Sequence, residues 1–108
     1  MSEANRSFLY RLTLRPELQS RPPTPGERAT QKRHLDYLLS ARDRGIVVLA
    51  GRTDEPSDRT FGLVLFQAPS DAAARDFMAN DPAIAGGLMT AELHPFRLAV
   101  APKQSSPD

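Results

Sequence analysis

The chain contains two histidines and no cysteine. Proton transfer near neutral pH therefore falls first to imidazole, while thiolate nucleophiles, disulfides and cysteine-ligated metals drop out together. His34 lies beside Leu35 and Leu38, with Tyr37 one turn on. That places it on the flank of an apolar helix face, as a half-packed boundary residue or as a general acid or base. His94 stands next to Pro95, late in the chain. Asp81 precedes Pro82, where a helix is expected to stop. A carboxylate at a helix C-terminus meets the negative end of the dipole and needs a compensating partner. Asp81 is either part of an Asn80-Asp81-Pro82 helix stop that bonds nearby amides, or the partner of a histidine ring N–H. In the second role it fixes the tautomer and raises the basicity of the far nitrogen. The sequence has no glycine-rich phosphate loop, no Gly-x-Ser-x-Gly, no His-Glu-x-x-His and no cluster of metal-ligand spacing, so no metal is expected.

The elements that must position these residues follow from periodicity. Phe8, Tyr10, Leu12 and Leu14 alternate with Leu9, Arg11 and Thr13, which reads as a strand ended by Pro16. Glu17 to Pro23 reads as a loop. Thr24-Pro25-Gly26-Glu27 is a capping box with proline at the first helical position, so a helix runs from there to about Arg44, with Gly45 as its left-handed cap. Leu35, Leu38 and Leu39 form its expected buried stripe. Ile46 to Ala50 is a continuous β-branched and aliphatic run, expected as a central strand covered on both faces. The charged segment 53–59 is a hairpin loop, and Thr60 to Gln67 is the returning strand. Ser70 caps a second helix that buries Ala73, Ala74, Phe77 and Met78 and ends near Asn80 or Asp81. One short turn over Ile84 to Gly87 leads to a last strand, Met89 to Val100, broken by Pro95.

The order is β-α-β-β-α-β, a ferredoxin-like α+β arrangement with one antiparallel sheet and two helices on a single face. One domain is expected across residues 1–108, with a core over about 7–100 and frayed ends over 1–5 and 102–108. Both Leu63/Leu65 and Val64/Phe66 are apolar. A monomer would leave one of these rows in water, which points to a homodimer formed across the open sheet face. The charge balance of 14 basic and 13 acidic side chains, with no basic run, argues against nucleic acid as the partner. No apolar run approaches the roughly 20 residues of a membrane helix, and no signal-peptide pattern opens the chain. The expected location is the cytoplasm.

Several landmarks then combine. They are His34-Leu35-x-Tyr37-Leu38, Gly45, Ala50-Gly51, the glycine of Thr60-Phe61-Gly62, Ala73 to Met78, Asn80-Asp81-Pro82 and Gly86-Gly87-Leu88. In this spacing, over roughly Phe8 to Val100, the chain resembles the YciI-like, or YCII-related, proteins. The resemblance implies a dimeric α+β barrel of ferredoxin-like subunits, with His34 and Asp81 as the active-site pair in a cleft. It also implies lyase or isomerase chemistry on small, often aromatic-derived compounds, by likeness to muconolactone-isomerase-like barrels. Gly51 and Arg52, at the end of the second strand, are the candidate substrate contacts. Arg52 stands where such proteins often carry proline, and it either adds an anion-binding group to the cleft or is a solvated loop residue. The long loop before the first helix and the charge of loop 53–59 are the other departures.

Three functions stay open on the sequence. In the first, His34 moves a proton on a small organic acid or lactone, Asp81 orients its ring, and no cofactor is required. A cofactor-free oxygenase of the same barrel class is a variant of it. In the second, a non-catalytic or regulatory dimer holds a small ligand in the same cleft. The third is a structural role in a larger assembly.

Overall fold

The computed structural model describes residues 5–56, 58–101 and 103. Its elements are β1 (Arg6–Leu14), α1 (Pro25–Asp43), β2 (Val47–Arg52), β3 (Gly62–Ala68), α2 (Asp71–Ala79), α3 (Pro82–Ala85) and β4 (Met89–Phe96), with a 3₁₀ turn at Pro16–Leu18. The four strands form one sheet in the order β2-β3-β1-β4, antiparallel throughout. This is the α+β, ferredoxin-like arrangement expected from the order of elements.

Strand alternation sorts the side chains. Phe8, Tyr10 and Leu12 of β1 lie opposite Phe66, Val64 and Gly62 of β3, and they build the core against α1 and α2. The other row pairs Leu9 with Leu65 and Arg11 with Leu63, away from the helices. Leu49 extends it across β2, and His94 and Glu92 extend it across β4. Leu49 is 51% exposed here. The run Ile46 to Ala50 therefore does not form a central strand covered on both faces. β2 is an edge strand, paired on one side only, with a register irregularity between Val47 and Leu49.

The helix starts are set locally. Thr24 accepts from the Glu27 amide at 3.1 Å while the Glu27 carboxylate accepts from the Thr24 amide at 3.0 Å, closing the capping box. At the far end Gly45 takes φ 80°. The Ile46 amide then reaches the Ala41 carbonyl at 2.8 Å and the Gly45 amide reaches the Arg42 carbonyl at 2.9 Å, a complete Schellman cap. Ser70 caps α2 by accepting from the Ala73 amide.

Three expectations shift. Of the stripe Leu35, Leu38 and Leu39, only Leu38 is buried, while Leu35 is 55% exposed. Leu35 borders a cleft instead of packing on the sheet. β4 ends at Phe96, not Val100, and runs through Pro95, which an edge strand tolerates because the outer side needs no donor. The short turn after α2 begins earlier than expected, at Pro82, and makes α3. The expected fraying of the ends falls largely on residues outside those described.

Candidate functional site

The carboxylate of Asp81 is 0% exposed. It is not the misplaced C-terminal charge that the sequence suggested. Asn80 closes α2, and Asp81 is the N-cap of α3, with Pro82 at the first helical position. Its Oδ1 accepts from the Ala83 amide at 2.9 Å, a favourable end for a negative charge. What the carboxylate requires is relief from burial, and two further donors supply it. The Tyr10 hydroxyl donates to Oδ2 at 2.8 Å, and Nδ1 of His34 lies 2.7 Å from Oδ1.

Three elements thus converge: β1 brings Tyr10, α1 brings His34, and the α2–α3 junction brings Asp81. An ionised carboxylate can only accept, so the short contact to His34 requires the proton on Nδ1. Nε2 is then the free nitrogen of the ring, available as a base. The His34 side chain is 19% exposed and lines the cleft. Behind it, Tyr37 stacks on Phe77 at 5.0 Å between centroids, and Tyr10 and Phe66 meet Phe77 edge-on or tilted. Burial, and then the charge of Asp81, raise the Tyr10 hydroxyl well above its ordinary range and push Tyr37 up to about 12. Both phenols are thereby held as neutral donors, and Tyr37 gives its hydrogen bond to the Phe77 carbonyl at 2.7 Å.

The cleft measures about 610 Å³, within the range of small-molecule sites. One wall is the stripe Gln31, His34, Leu35 and Leu38 of α1, spaced i, i+3, i+4, i+7. The opposite wall is the end of the sheet, where Gly51 and Arg52 of β2 pair with Leu63 and Gly62 of β3. Both candidate substrate contacts therefore lie on the same cleft as His34. His94 does not. It sits on the open sheet face, with Nε2 3.7 Å from Glu92. A second hollow of about 310 Å³, between the start of α1 and residues 86–88, has its charged groups already engaged. There Arg15 bonds the Gly87 carbonyl and Glu27 is held by Arg21. No group of three or more metal-ligating side chains occurs among the described residues.

Sequence reasoning missed Tyr10, which reads as one more core aromatic in an alternating strand. A signal was available, because a hydroxyl placed on a fully buried row must find an acceptor.

With the geometry in place, comparison with known proteins adds the following. The model of the YCII-related domain matches residues 13–97. Among solved structures, the chain is similar to 5-chloro-2-hydroxyhydroquinone dehydrochlorinase (TftG) from Burkholderia phenoliruptrix AC1100, solved in complex with 2,5-dihydroxybenzoquinone. The TM-score is 0.64 at 20% identity, covering 84% of this chain and 93% of that one. A looser likeness joins it to a mutant of SnoaB, a cofactor-independent oxygenase from Streptomyces nogalater. There the TM-score is 0.42 at 19% identity, over 96% of this chain and 98% of that one. At such identities the first likeness establishes the fold, and the second is too loose to argue from. No curated protein matches the chain.

Proposed function

This chain belongs to the family of YCII-related domains, and from that premise we propose that it is a small-molecule acid–base enzyme of the lyase or isomerase type. His34 is the catalytic group and Asp81 orients it. The observation that carries the reading is the 2.7 Å contact between an imidazole lining a cleft and a carboxylate with no exposure to water. In this mechanism Nε2 removes an acidic proton from the substrate. The imidazolium that forms is stabilised by the carboxylate behind it. Returning the proton at another atom completes an isomerisation. Expelling a leaving group with the freed electron pair completes an elimination. Neither step calls for a cofactor. Gly51 and Arg52 contact the substrate from the opposite wall. That a dehydrochlorinase with a bound dihydroxybenzoquinone has a similar fold supports the small-molecule part of the reading.

We assign the working form to a homodimer. Leu9, Leu49 and Leu65 form a row across the open sheet face. Leu65 is already only 6% exposed in the single chain, contrary to the expected row in water, while Leu49 is 51% and Phe96 at the edge 41% exposed. Two such faces packed together bury the row and make a barrel of two sheets. Leu49→Asp should convert a dimer to monomers in sedimentation, and a wild-type chain that sediments as a monomer would sink this assignment. No helix among the described residues is long and apolar enough to cross a membrane. A chain without cysteine suits a reducing compartment, and we assign it to the cytoplasm.

The test follows deuterium uptake from D₂O into a panel of small carbon acids by proton NMR. Wild-type protein should catalyse uptake, and His34→Gln should lower the rate about a hundred- to ten-thousand-fold. An unchanged rate in His34→Gln removes the proposed base. Ligand binding with no turnover in either protein favours the non-catalytic ligand-binding module.

A further inference from the structure

The same cleft identifies the class of its ligand, an inference that rests on reading the cleft as the ligand site. We propose that the ligand is an amphiphilic monoanion, with one acidic group held by Arg52 and an apolar body lying against Phe61 and the leucines. Among the described residues, no acidic side chain lines the cleft. Its charge comes from Arg52 and, when protonated, from His34. Asp81 lies behind His34, wholly buried and engaged by three donors, so it does not present its charge to the cleft.

Arg52 is placed to receive an anion. Several arginines have no carboxylate partner among the described residues, but Arg52 is the one of them that lines the cleft, and it makes no side-chain hydrogen bond there. Its neighbour across the β2–β3 pair is Gly62, which offers no side chain to it. A planar guanidinium left open in this way matches a carboxylate, phenolate or enolate.

The rest of the wall sets the body of the ligand. Leu12, Leu14, Leu35, Leu38 and Met89 are apolar, and Gln31 and Thr60 are uncharged. Phe61 is held from one side by the Arg11 guanidinium, 4.3 Å from its centroid, which fixes the ring as a flat wall. A cationic ligand would meet Arg52 with no carboxylate to offset it. A polyol or a dianion would leave most of its polar groups without partners.

The experiment titrates the full-length protein at low salt with 2-naphthoate, 2-naphthamide and acetate, read by ¹⁵N–¹H shift changes. Naphthoate should bind about tenfold more tightly than its neutral amide, the size expected for one charge-assisted contact at a partly exposed arginine. Acetate, which lacks the apolar body, should bind at least tenfold more weakly than naphthoate. Arg52→Gln should reduce naphthoate to the affinity of the amide and leave the amide unchanged. Equal affinities for naphthoate and naphthamide, a preference that survives Arg52→Gln, or no binding of either at millimolar concentration would overturn the proposal. The wild-type protein separates the two readings. An anion preference with no deuterium uptake in the wild type refutes the catalytic role alone, and uptake without anion preference refutes the ligand class alone.

Discussion

If Asp81 is held by the donors around it, stability should show a specific coupling between Asp81 and Tyr10. Asp81→Ala strands the Tyr10 hydroxyl, which has 0% exposure, and removes the acceptor of the Ala83 amide. Each stranded buried donor costs about 1–3 kcal/mol, and release of the carboxylate from its own desolvation offsets part of the sum. The expected loss is about 3–4 kcal/mol, a large share of the roughly 5–15 kcal/mol that holds a domain together. Tyr10→Phe keeps the ring packing against Phe66 and Phe77 and removes only the donor to Oδ2. That should cost about 1.5–3 kcal/mol, because the acceptor is charged. In the double variant there is no hydroxyl left to strand, so the combined loss should fall short of the sum by about 2 kcal/mol. Urea unfolding at pH 7, comparing midpoints at constant slope, measures all four corners of the cycle. Losses that add to within about 0.5 kcal/mol would refute the claim that the hydrogen bond joins these residues. Should Asp81→Ala fail to fold, Asp81→Asn replaces it. The amide oxygen can still accept from Ala83 and its NH₂ can donate to the phenol, so its loss should be the smaller one.

Two pH experiments and one packing comparison follow. Glu27 is pushed down to about 2, first by its hydrogen bond from Arg21 and then by the Thr24 amide. A folded-state pKa below the unfolded one contributes stability above the unfolded value and loses it as pH falls. The stability gap between wild type and Glu27→Gln should thus be constant above about pH 5 and close between roughly 4.5 and 2. A gap unchanged at pH 2 would count against the ion pair. Tyr10 and Tyr37, the only tyrosines, are raised by burial and then by Asp81. Their contribution is complete below about pH 10 and declines above it, with Tyr10 alone giving a slope of about 1.4 kcal/mol per pH unit. Tyrosine absorbance should therefore rise together with unfolding, and a phenolate signal appearing in the folded protein at pH 10 would contradict the raising of both phenols. Leu38→Ala should cost about 2–4 kcal/mol and Leu35→Ala less than about 1, because Leu35 lines the cleft mouth. Equal losses in thermal or urea unfolding would mean that Leu35 packs in the core.

The features that proved legible in the sequence are those settled within a few residues of chain. Thr24 and Glu27 satisfy each other across one turn, Gly45 supplies a backbone angle that side chains rarely adopt, and Ser70 reaches an amide three residues on. The order of strands and helices followed from these stops and starts. Helical periodicity, by contrast, groups Leu35, Leu38 and Leu39 on one side of α1 without saying whether that side touches a sheet or borders a cleft. The run from Ile46 to Ala50 misled for a related reason, since an apolar second face is as consistent with an edge strand facing another copy as with a covered central one.

The sequence left two roles open for Asp81, bonding nearby amides or partnering a histidine, and the carboxylate does both, but the physical argument given for a partner does not hold. The sequence reading gave Asp81 a partner because it sat at the wrong end of a helix dipole. In the fold it sits at the right end of the next helix, since Asn-Asp-Pro closes α2 and opens α3 in the same three residues. Its partners are needed because no water reaches it, and one of them, Tyr10, lies 71 positions away in sequence. The tautomer that leaves Nε2 free therefore depends on the core as much as on the cleft. Substitutions on the inner face of β1 that disturb Tyr10 should alter the protonation pattern of His34 in ¹⁵N spectra without touching any residue that lines the site.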